Sequence, residues 1–239
     1  MMHGVALFVI SGVSASGKST VARLLAGRFE RGVCVPGDAM QAMVVSGRLD
    51  MRPDSGEGAL RQLVLRYAGA LAVASVYLRD GFDVVVEDVI IGPVLRDFLA
   101  LVPVPEFHLV FLDPDAAAIE RRERERDGTT YGAGRWSVGG LQTLLREETE
   151  PIGLWLDSTR LSAEQTVEVI LADLDASRVS LPVPTAGLAA RSATVSANGS
   201  ANETKGDRGD GPRDRQPSST ETPGQRDTTE RRKRGRRTS

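Results

Sequence analysis

The sequence is poor in residues that several classes of site require. Cys34 is the single cysteine, and His3 and His108 are the only histidines. No asparagine occurs before residue 198. One cysteine excludes an intramolecular disulfide, and two histidines argue against histidine-based acid–base catalysis. The guanine-specific switch proteins are set aside because their base-reading motif needs asparagine. Cys34 lies in an apolar stretch, which favours a buried and inert thiol.

Long hydrophobic runs are also lacking. Apolar runs such as residues 84–86 and 89–91 are strand-sized and interrupted by charge, whereas a membrane helix needs about 20 apolar residues. No basic region precedes the apolar residues 5–10, so we expect a strand there rather than a signal peptide. These features predict a cytoplasmic protein without a membrane segment.

The composition of the chain changes near residue 180. No aromatic residue follows Trp155, and Pro, Gly, Ser, Thr and charged residues dominate the end of the chain. Such a segment buries too little apolar surface to offset its ordering entropy. We therefore expect a folded domain at residues 1–178 and a disordered tail at residues 179–239. The last nine residues hold six cations. Weak contact of the tail with nucleic acid or another acidic surface therefore stays open. The folded part is acidic, so we do not expect it to bind nucleic acid.

The first 178 residues alternate strand and helix signals. Apolar segments that predict buried strands occur at residues 5–11, 33–38, 107–113 and 153–159 and within 83–92. Apolar residues at helical spacing predict helices at residues 18–30, 60–77, 93–101, 116–126 and 162–174. Ser162 and Gln165 form a capping-box pattern. Buried strands separated by helices indicate an α/β fold, a three-layer sandwich with a parallel sheet of about five strands and helices on both faces.

The first strand leads into GVSASGKS at residues 12–19, and a helix follows. A strand, then G-x-x-x-x-G-K-S, then a helix is typical of a phosphate-binding loop. The glycines let successive N–H groups turn toward phosphate oxygens, and the helix start presents its positive dipole end to the same anion. The predicted nucleotide-binding residues are Gly12, Val13, Ser14, Ala15, Ser16, Gly17, Lys18, Ser19 and Thr20.

Lys18 is the only lysine before Lys205 in a chain that otherwise uses arginine. A lysine stem fits inside a loop wrapped around a triphosphate, whereas the planar fork of arginine does not. We expect Lys18 to contact the β- and γ-phosphates of a nucleoside triphosphate and the Ser19 hydroxyl to bind Mg²⁺. The expected cofactors are therefore a nucleoside triphosphate and Mg²⁺.

Among phosphate-loop proteins, large ring motors need a second helical domain, which the folded part is too short to hold. Small kinases remain, and they need an acceptor site and an acid near the open edge of the sheet. Asp38 ends the second strand and is the candidate catalytic carboxylate, with a helix N-cap as the alternative. Glu87 and Asp88 end the third strand. One of them is expected to hold Mg²⁺, and the pattern leaves open which one.

A small kinase also needs cations over the migrating phosphoryl group. Arg122 and Arg126 lie four residues apart, hence on one helix face, and precede the glycine-broken residues 128–134. They are the candidate lid arginines. The alternative is a solvated helix face on which the arginines pair with nearby glutamates.

The segments GVSASGKS, VPGDAMQAM, GFDVVVEDVIIG and RRERERDG resemble the chloramphenicol phosphotransferase family in order and spacing, over roughly residues 5–175. This resemblance implies a P-loop kinase fold, ATP with Mg²⁺ and phosphorylation of a drug hydroxyl, with the catalytic aspartate at Asp38. Residues 131–159 depart from that pattern and are more similar to the tunicamycin-resistance ATP-binding protein group.

These observations predict an ATP- and Mg²⁺-dependent phosphotransferase that acts on a hydroxyl of a small molecule, an antibiotic being one candidate. A metabolite or nucleoside kinase is the alternative enzyme, and a non-catalytic ATP-binding protein that sequesters a drug is the alternative without chemistry. A nucleic-acid end kinase is suggested only by the basic tail. The acceptor and the oligomeric state stay open.

Overall fold

A computed structural model gives the fold of the chain and describes residues 4–125, 131 and 134–182. The strands are β1 (Leu7–Gly12), β2 (Gly32–Pro36), β3 (Asp83–Glu87), β4 (Glu106–Leu112), β5 (Leu154–Leu156) and β6 (Arg178–Ser180). The helices are α1 (Lys18–Ala26), α2 (Gly37–Ala42), α3 (Glu57–Arg79), α4 (Val94–Leu99), α5 (Ala116–Glu125), α6 (Val138–Glu148), α7 (Ala163–Ala172) and α8 (Leu174–Ser177).

Five strands pair in parallel in the order β2-β3-β1-β4-β5, and β6 pairs antiparallel with β4. This confirms the predicted parallel sheet of about five strands. The carboxyl ends of parallel strands share one edge of the sheet, and a crevice opens there where the strand order reverses beside β1. The ends of β1, β2 and β3, which carry the predicted phosphate loop and acids, therefore lie next to one another.

Alternate residues of the central strands face two separate cores. Val9 of β1 packs in the core that contains Tyr67 of α3. Phe8 faces the opposite core, with Leu25 of α1 and Ile170 of α7. Because successive side chains of a strand point to opposite faces, a continuous apolar strand needs helices on both sides. The observed layers are those that the continuous apolar strands predicted.

Helix α3 has 23 residues and is the one helix among the described residues that is long and apolar enough to cross a membrane by length and composition. Its residues Tyr67, Ala70, Leu71 and Ala74 are buried against the sheet. It also carries Arg66, which pairs with Asp88 at the sheet edge. These contacts make α3 a core helix of the α/β fold.

Several boundaries differ from those predicted. Helix α1 ends at Ala26, before Gly27, instead of reaching residue 30. Helix α6 was not predicted, because Gly139 and Gly140 in its first turn weaken the helical signal. The helix nevertheless has a side-chain cap, since the Ser137 hydroxyl accepts a hydrogen bond from the Gly140 N–H. The capping box of Ser162 and Gln165 at α7 is confirmed. Strand β6 was not predicted either, and it begins at residue 178, the expected end of the domain.

Strand β6 is attached by several contacts. Val179 is buried, and Leu181 N–H donates to the carbonyl of Pro105 at 2.8 Å. Just before the strand, Ser177 Oγ lies 2.9 Å from His108 Nδ1 in β4, the strand in which that histidine was expected. Residues 178–181 therefore belong to the folded unit.

We predict that a chain ending at Pro182 keeps the thermal unfolding midpoint of the full chain. A chain ending at Ser177 should be destabilised by about 2 kcal/mol, since it loses one buried valine and the β6 pairing. Circular dichroism melts of both chains measure this. Equal midpoints for the two truncations would contradict a structural role for β6, and a large loss at Pro182 would contradict the proposed division into domain and tail.

Candidate functional site

The predicted phosphate-binding loop lies between β1 and α1. Gly12 and Gly17 have φ angles of 136° and 102°, which L-residues avoid. A Cβ on Gly12 would also overlap the carbonyl oxygen of Leu112 in β4. Ala15 has a left-handed φ of 60°, a costly state for a residue with a side chain that is common at ligand-binding loops. The backbone of the loop is thus held in the conformation that turns N–H groups toward an anion.

Helix α1 begins at Lys18, directly after the loop. Gly17 is its N-cap and supplies no side-chain cap, so the first N–H groups of the helix are available to an anion. The Lys18 side chain is buried, and its Nζ donates to the carbonyl of Val13 at 2.9 Å. The ammonium therefore lies over the loop that would receive phosphate oxygens.

Polar groups buried around the loop are left unsatisfied. In the described part of the chain, Oγ of Ser16, inside the loop, and Oγ of Ser158, after β5, have no hydrogen-bond partner. Buried polar groups are nearly always hydrogen-bonded in native proteins, and Arg122 donates to the backbone carbonyls of both serines, so the two hydroxyls are open to a polar ligand at the loop. The loop geometry, the lysine and these two hydroxyls fit a nucleotide phosphate chain.

Ser19 connects the loop to β3. Its Oγ donates to Oε1 of Glu87 at 2.9 Å, and Glu87 is the last residue of β3. Burial raises the pKa of Glu87, while the charge of Lys18 and the Ser19 hydrogen bond lower it. A hydroxyl and a carboxylate therefore lie together next to the lysine.

Asp88 is adjacent in sequence but has a different partner. Nε of Arg66 in α3 donates to Asp88 Oδ2 at 2.8 Å, and Nη2 of Arg66 donates to Oδ1 of the same carboxylate. The Asp88 side chain is only 2% exposed. Burial raises the pKa of Asp88, and Arg66 opposes this shift. Of the two acids, only Glu87 is within hydrogen-bond distance of Ser19.

The residues present fit Mg²⁺. Hard oxygen donors suit this ion, which is usually held by one or two protein oxygens together with phosphate oxygens and water. The Ser19 hydroxyl and the Glu87 carboxylate supply such oxygens. Within residues 4–125, 131 and 134–182, no group of three or more His, Cys, Asp or Glu side chains forms a closed metal site. Any Mg²⁺ here would depend on the nucleotide for part of its coordination.

Asp38 lies in the first turn of α2, at the carboxyl end of β2. The N-cap of α2 is Pro36, so the alternative role of Asp38 as an N-cap is wrong. Its side chain is 84% exposed, and its Oδ1 lies 3.5 Å from Nη1 of Arg66. Its charge contributes to the raised pKa of both Glu87 and Asp88, which puts the three carboxylates within electrostatic reach. An exposed carboxylate beside the loop is accessible to a second substrate.

Arg122 reaches the phosphate loop from α5. Its Nη1 donates to the carbonyl of Ser16 and its Nη2 to that of Ser158, both at 2.9 Å. Tyr131 OH donates to the carbonyl of Ser14 at 2.7 Å.

Arg121 and Arg124 are exposed, as the solvated-face alternative expected for them. Arg126 lies outside the described residues, as do Gly128 and Gly132.

Arg66 was not predicted as a functional residue, although the sequence carried a signal for it. Arg66 lies beside the buried residues Tyr67 and Ala70, in a helix whose sheet-facing side is otherwise apolar. A charged residue there needs a buried partner. The contact of Tyr131 with the loop carried no such signal in the sequence, because a tyrosine is not unusual at that position.

Comparison with known proteins agrees with this geometry. The profile of the AAA domain family matches residues 7–136, which is more than half of the chain. No curated protein sequence matches. The narrower resemblance to chloramphenicol phosphotransferase stays a prediction.

Solved structures that match this chain include two kinases and one resistance protein. An unliganded sugar kinase from Janibacter sp. HTCC2649 is 24% identical with a TM-score of 0.50, over 72% of this chain and 95% of that one. A gluconokinase from Sinorhizobium meliloti 1021 is 23% identical with a TM-score of 0.48, over 72% and 93%. The Deinococcus radiodurans tunicamycin resistance protein is 17% identical with a TM-score of 0.49, over 75% and 99%. The sugar-kinase likeness supports the P-loop kinase fold, and the profile match shows that the chain belongs to the AAA domain family.

Proposed function

We propose that the protein transfers the γ-phosphoryl group of ATP to a hydroxyl group of a small molecule. The observation that carries this proposal is the convergence of a phosphate loop, its buried Lys18 and the Ser19–Glu87 pair with the exposed carboxylate of Asp38. Transfer to a second substrate needs a group that this substrate can reach from solvent, and the exposed Asp38 carboxylate meets that requirement. The resemblance to chloramphenicol phosphotransferase favours an antibiotic or another natural product as the acceptor.

The loop residues would bind and orient the phosphate chain. Backbone N–H groups of residues 13–19 hold the oxygens, and the Lys18 ammonium balances charge on the β- and γ-phosphates. Mg²⁺, when bound, would supply positive charge that neutralises charge developing on the phosphate during transfer. On the protein side, the Ser19 hydroxyl and the Glu87 carboxylate would hold that ion.

Asp38 would act on the acceptor. Its carboxylate accepts a hydrogen bond from the acceptor hydroxyl and directs the hydroxyl oxygen toward phosphorus. As the new oxygen–phosphorus bond forms, the bond from phosphorus to the bridging oxygen of ADP breaks, and the hydroxyl proton moves to Asp38. Because the transition state of phosphoryl transfer is loose, orienting the hydroxyl is the main contribution of this residue.

Arg122 and Arg126 are proposed as the cations over the transferring group. Arg122 already lies against the loop through the Ser16 carbonyl, and its guanidinium has donors beyond those two carbonyl contacts. Positive charge there would balance charge on the departing phosphoryl group.

An acceptor screen tests the proposal. Protein, labelled ATP and Mg²⁺ are incubated with a panel of hydroxyl-bearing antibiotics, sugars, other metabolites and nucleosides, and labelled products are identified. We expect label on one class of small molecule, and no label with a folded Lys18→Ala variant. ATP binding without any labelled product would favour the drug-sequestering alternative, and transfer by Lys18→Ala at the wild-type rate would contradict the kinase assignment.

Asp38→Asn separates catalysis from binding. We expect kcat to fall by about a hundredfold or more, because general-base assistance is worth roughly 10²–10⁴ in rate. ATP affinity and the unfolding midpoint should stay at wild-type values, since Asp38 caps no helix and its side chain is exposed. The matched control is Asp80→Asn, an exposed acid at the far end of α3.

Steady-state kinetics with the acceptor found by the screen, together with calorimetric titration of ATP, supply both values. Wild-type turnover by Asp38→Asn would remove this residue from the proton transfer. A loss of ATP affinity without a loss of kcat would make it a nucleotide-binding residue instead.

A further inference from the structure

Arg66 is unlike the other arginines of α3. Its side chain is only 13% exposed and points to the carboxyl edge of the sheet, whereas Arg61 and Arg79 are exposed. A guanidinium removed from water costs free energy unless its donors are paired. The partners of Arg66 therefore indicate what the residue does.

The first partner is the buried carboxylate of Asp88. Two parallel N–H donors meet its two oxygens, the bidentate geometry that arginine forms and lysine does not. Asp88 Oδ1 also accepts from the Val89 N–H at 2.6 Å. Backbone closes the remaining side, because a Cβ on Gly37 would overlap Asp88 Oδ2. The ion pair is thus a fixed point directly beneath the start of α2.

The second partner is α2 itself. Nη1 of Arg66 donates to Oε1 of Gln41 at 2.6 Å and lies 3.5 Å from Oδ1 of Asp38. Asp38 and Gln41 are three residues apart and lie on the same face of this six-residue helix. Because no side chain caps α2 at its N-terminus and a helix this short is marginal by itself, its orientation depends on such tertiary contacts.

The contacts continue from Gln41 into the segment between α2 and α3. Gln41 Nε2 donates to Asp50 Oδ1, and Arg48 Nε donates to the same oxygen, both at 2.8 Å. One chain of polar contacts therefore runs from Asp88, through Arg66 and Gln41, to residues 48–50. The cation of Arg66 is shared among acidic and amide oxygens of the protein itself.

We propose that Arg66 is a positioning residue for the phosphoryl-transfer reaction. Anchored on Asp88, it holds α2 at the sheet edge so that the Asp38 carboxylate faces the acceptor hydroxyl. The same pairing occupies Asp88 and leaves Glu87 as the acid next to Ser19. This inference rests on the proposed function for its consequence on rate, but the anchoring of α2 can be measured without any acceptor.

The test compares four variants: Arg66→Met, Asp88→Asn, the double variant with both changes, and Arg79→Met as the matched control on an exposed part of α3. Arg66→Met leaves a buried carboxylate without its cation and should lower the unfolding midpoint. The double variant removes that uncompensated charge and should regain most of the midpoint. Positioning is lost in both variants, because neither retains the donor to Gln41 and Asp38.

Hydrogen exchange measures the anchoring directly. In the double variant we expect the amides of residues 38–42 to exchange about tenfold faster, in line with loss of roughly one hydrogen bond, while α7 amides keep their wild-type rates. In an active enzyme, kcat of the double variant should stay about tenfold or more below that of Asp88→Asn, with unchanged ATP affinity.

The outcomes separate this inference from the proposed function. Faster α2 exchange in a protein that transfers phosphate to no acceptor would sustain the anchoring and overturn the kinase assignment. An active double variant with the kcat of Asp88→Asn and wild-type α2 exchange would overturn the positioning role and leave the kinase assignment intact. An unfolding midpoint of Arg66→Met equal to that of the double variant would overturn the ion pair on which the role depends.

Discussion

The parallel pairing of β1 with β3 is the constraint on which the whole site depends. It places Ile10, two residues before the loop glycine, opposite Glu87. Ser19 then meets Glu87 across the crevice, because α1 follows the loop within a few residues. Since successive residues at a strand end point in opposite directions, Asp88 is turned away toward α3. Two neighbouring acids thereby acquire different partners, Ser19 and Arg66.

That division determines the electrostatics of the crevice. Glu87 and Lys18 interact electrostatically at the loop. There the Lys18 cation would balance phosphate charge, and the Glu87 carboxylate would balance the charge of a metal ion. Asp88 is neutralised by a cation from the helix layer and serves as an internal anchor. Asp38 remains the exposed carboxylate at the neighbouring strand end. In the proposed reaction, the loop would therefore form the nucleotide side of the site and Asp38 the acceptor side, and the end of β3 lies between them.

Much of this arrangement could be predicted from sequence, because its signals are local. The phosphate loop, the apolar strands and Asp38 after β2 each follow from short stretches of residues. Arg122 was predicted from its helical spacing and its place before a glycine-broken segment, and it does contact the loop. What could not be predicted depends on pairing between distant segments. The choice between Glu87 and Asp88 needs the β1–β3 register, and the role of Arg66 needs the packing of α3 on β3. Helix α6 was not predicted because the glycines in its first turn weaken the helical signal. Strand β6 was not predicted because three residues are too few to show an alternating pattern.

The most direct test of this account is the effect of Mg²⁺ on ATP affinity in Glu87→Gln and Asp88→Asn, measured by calorimetric titration with the metal present and with it chelated. The account predicts that Mg²⁺ strengthens ATP binding to the wild type and to Asp88→Asn, and that this gain falls by about tenfold or more in Glu87→Gln, in line with loss of a ligand that carries charge. Retention of the full Mg²⁺ effect in Glu87→Gln, with its loss in Asp88→Asn, would contradict the assignment of the two acids.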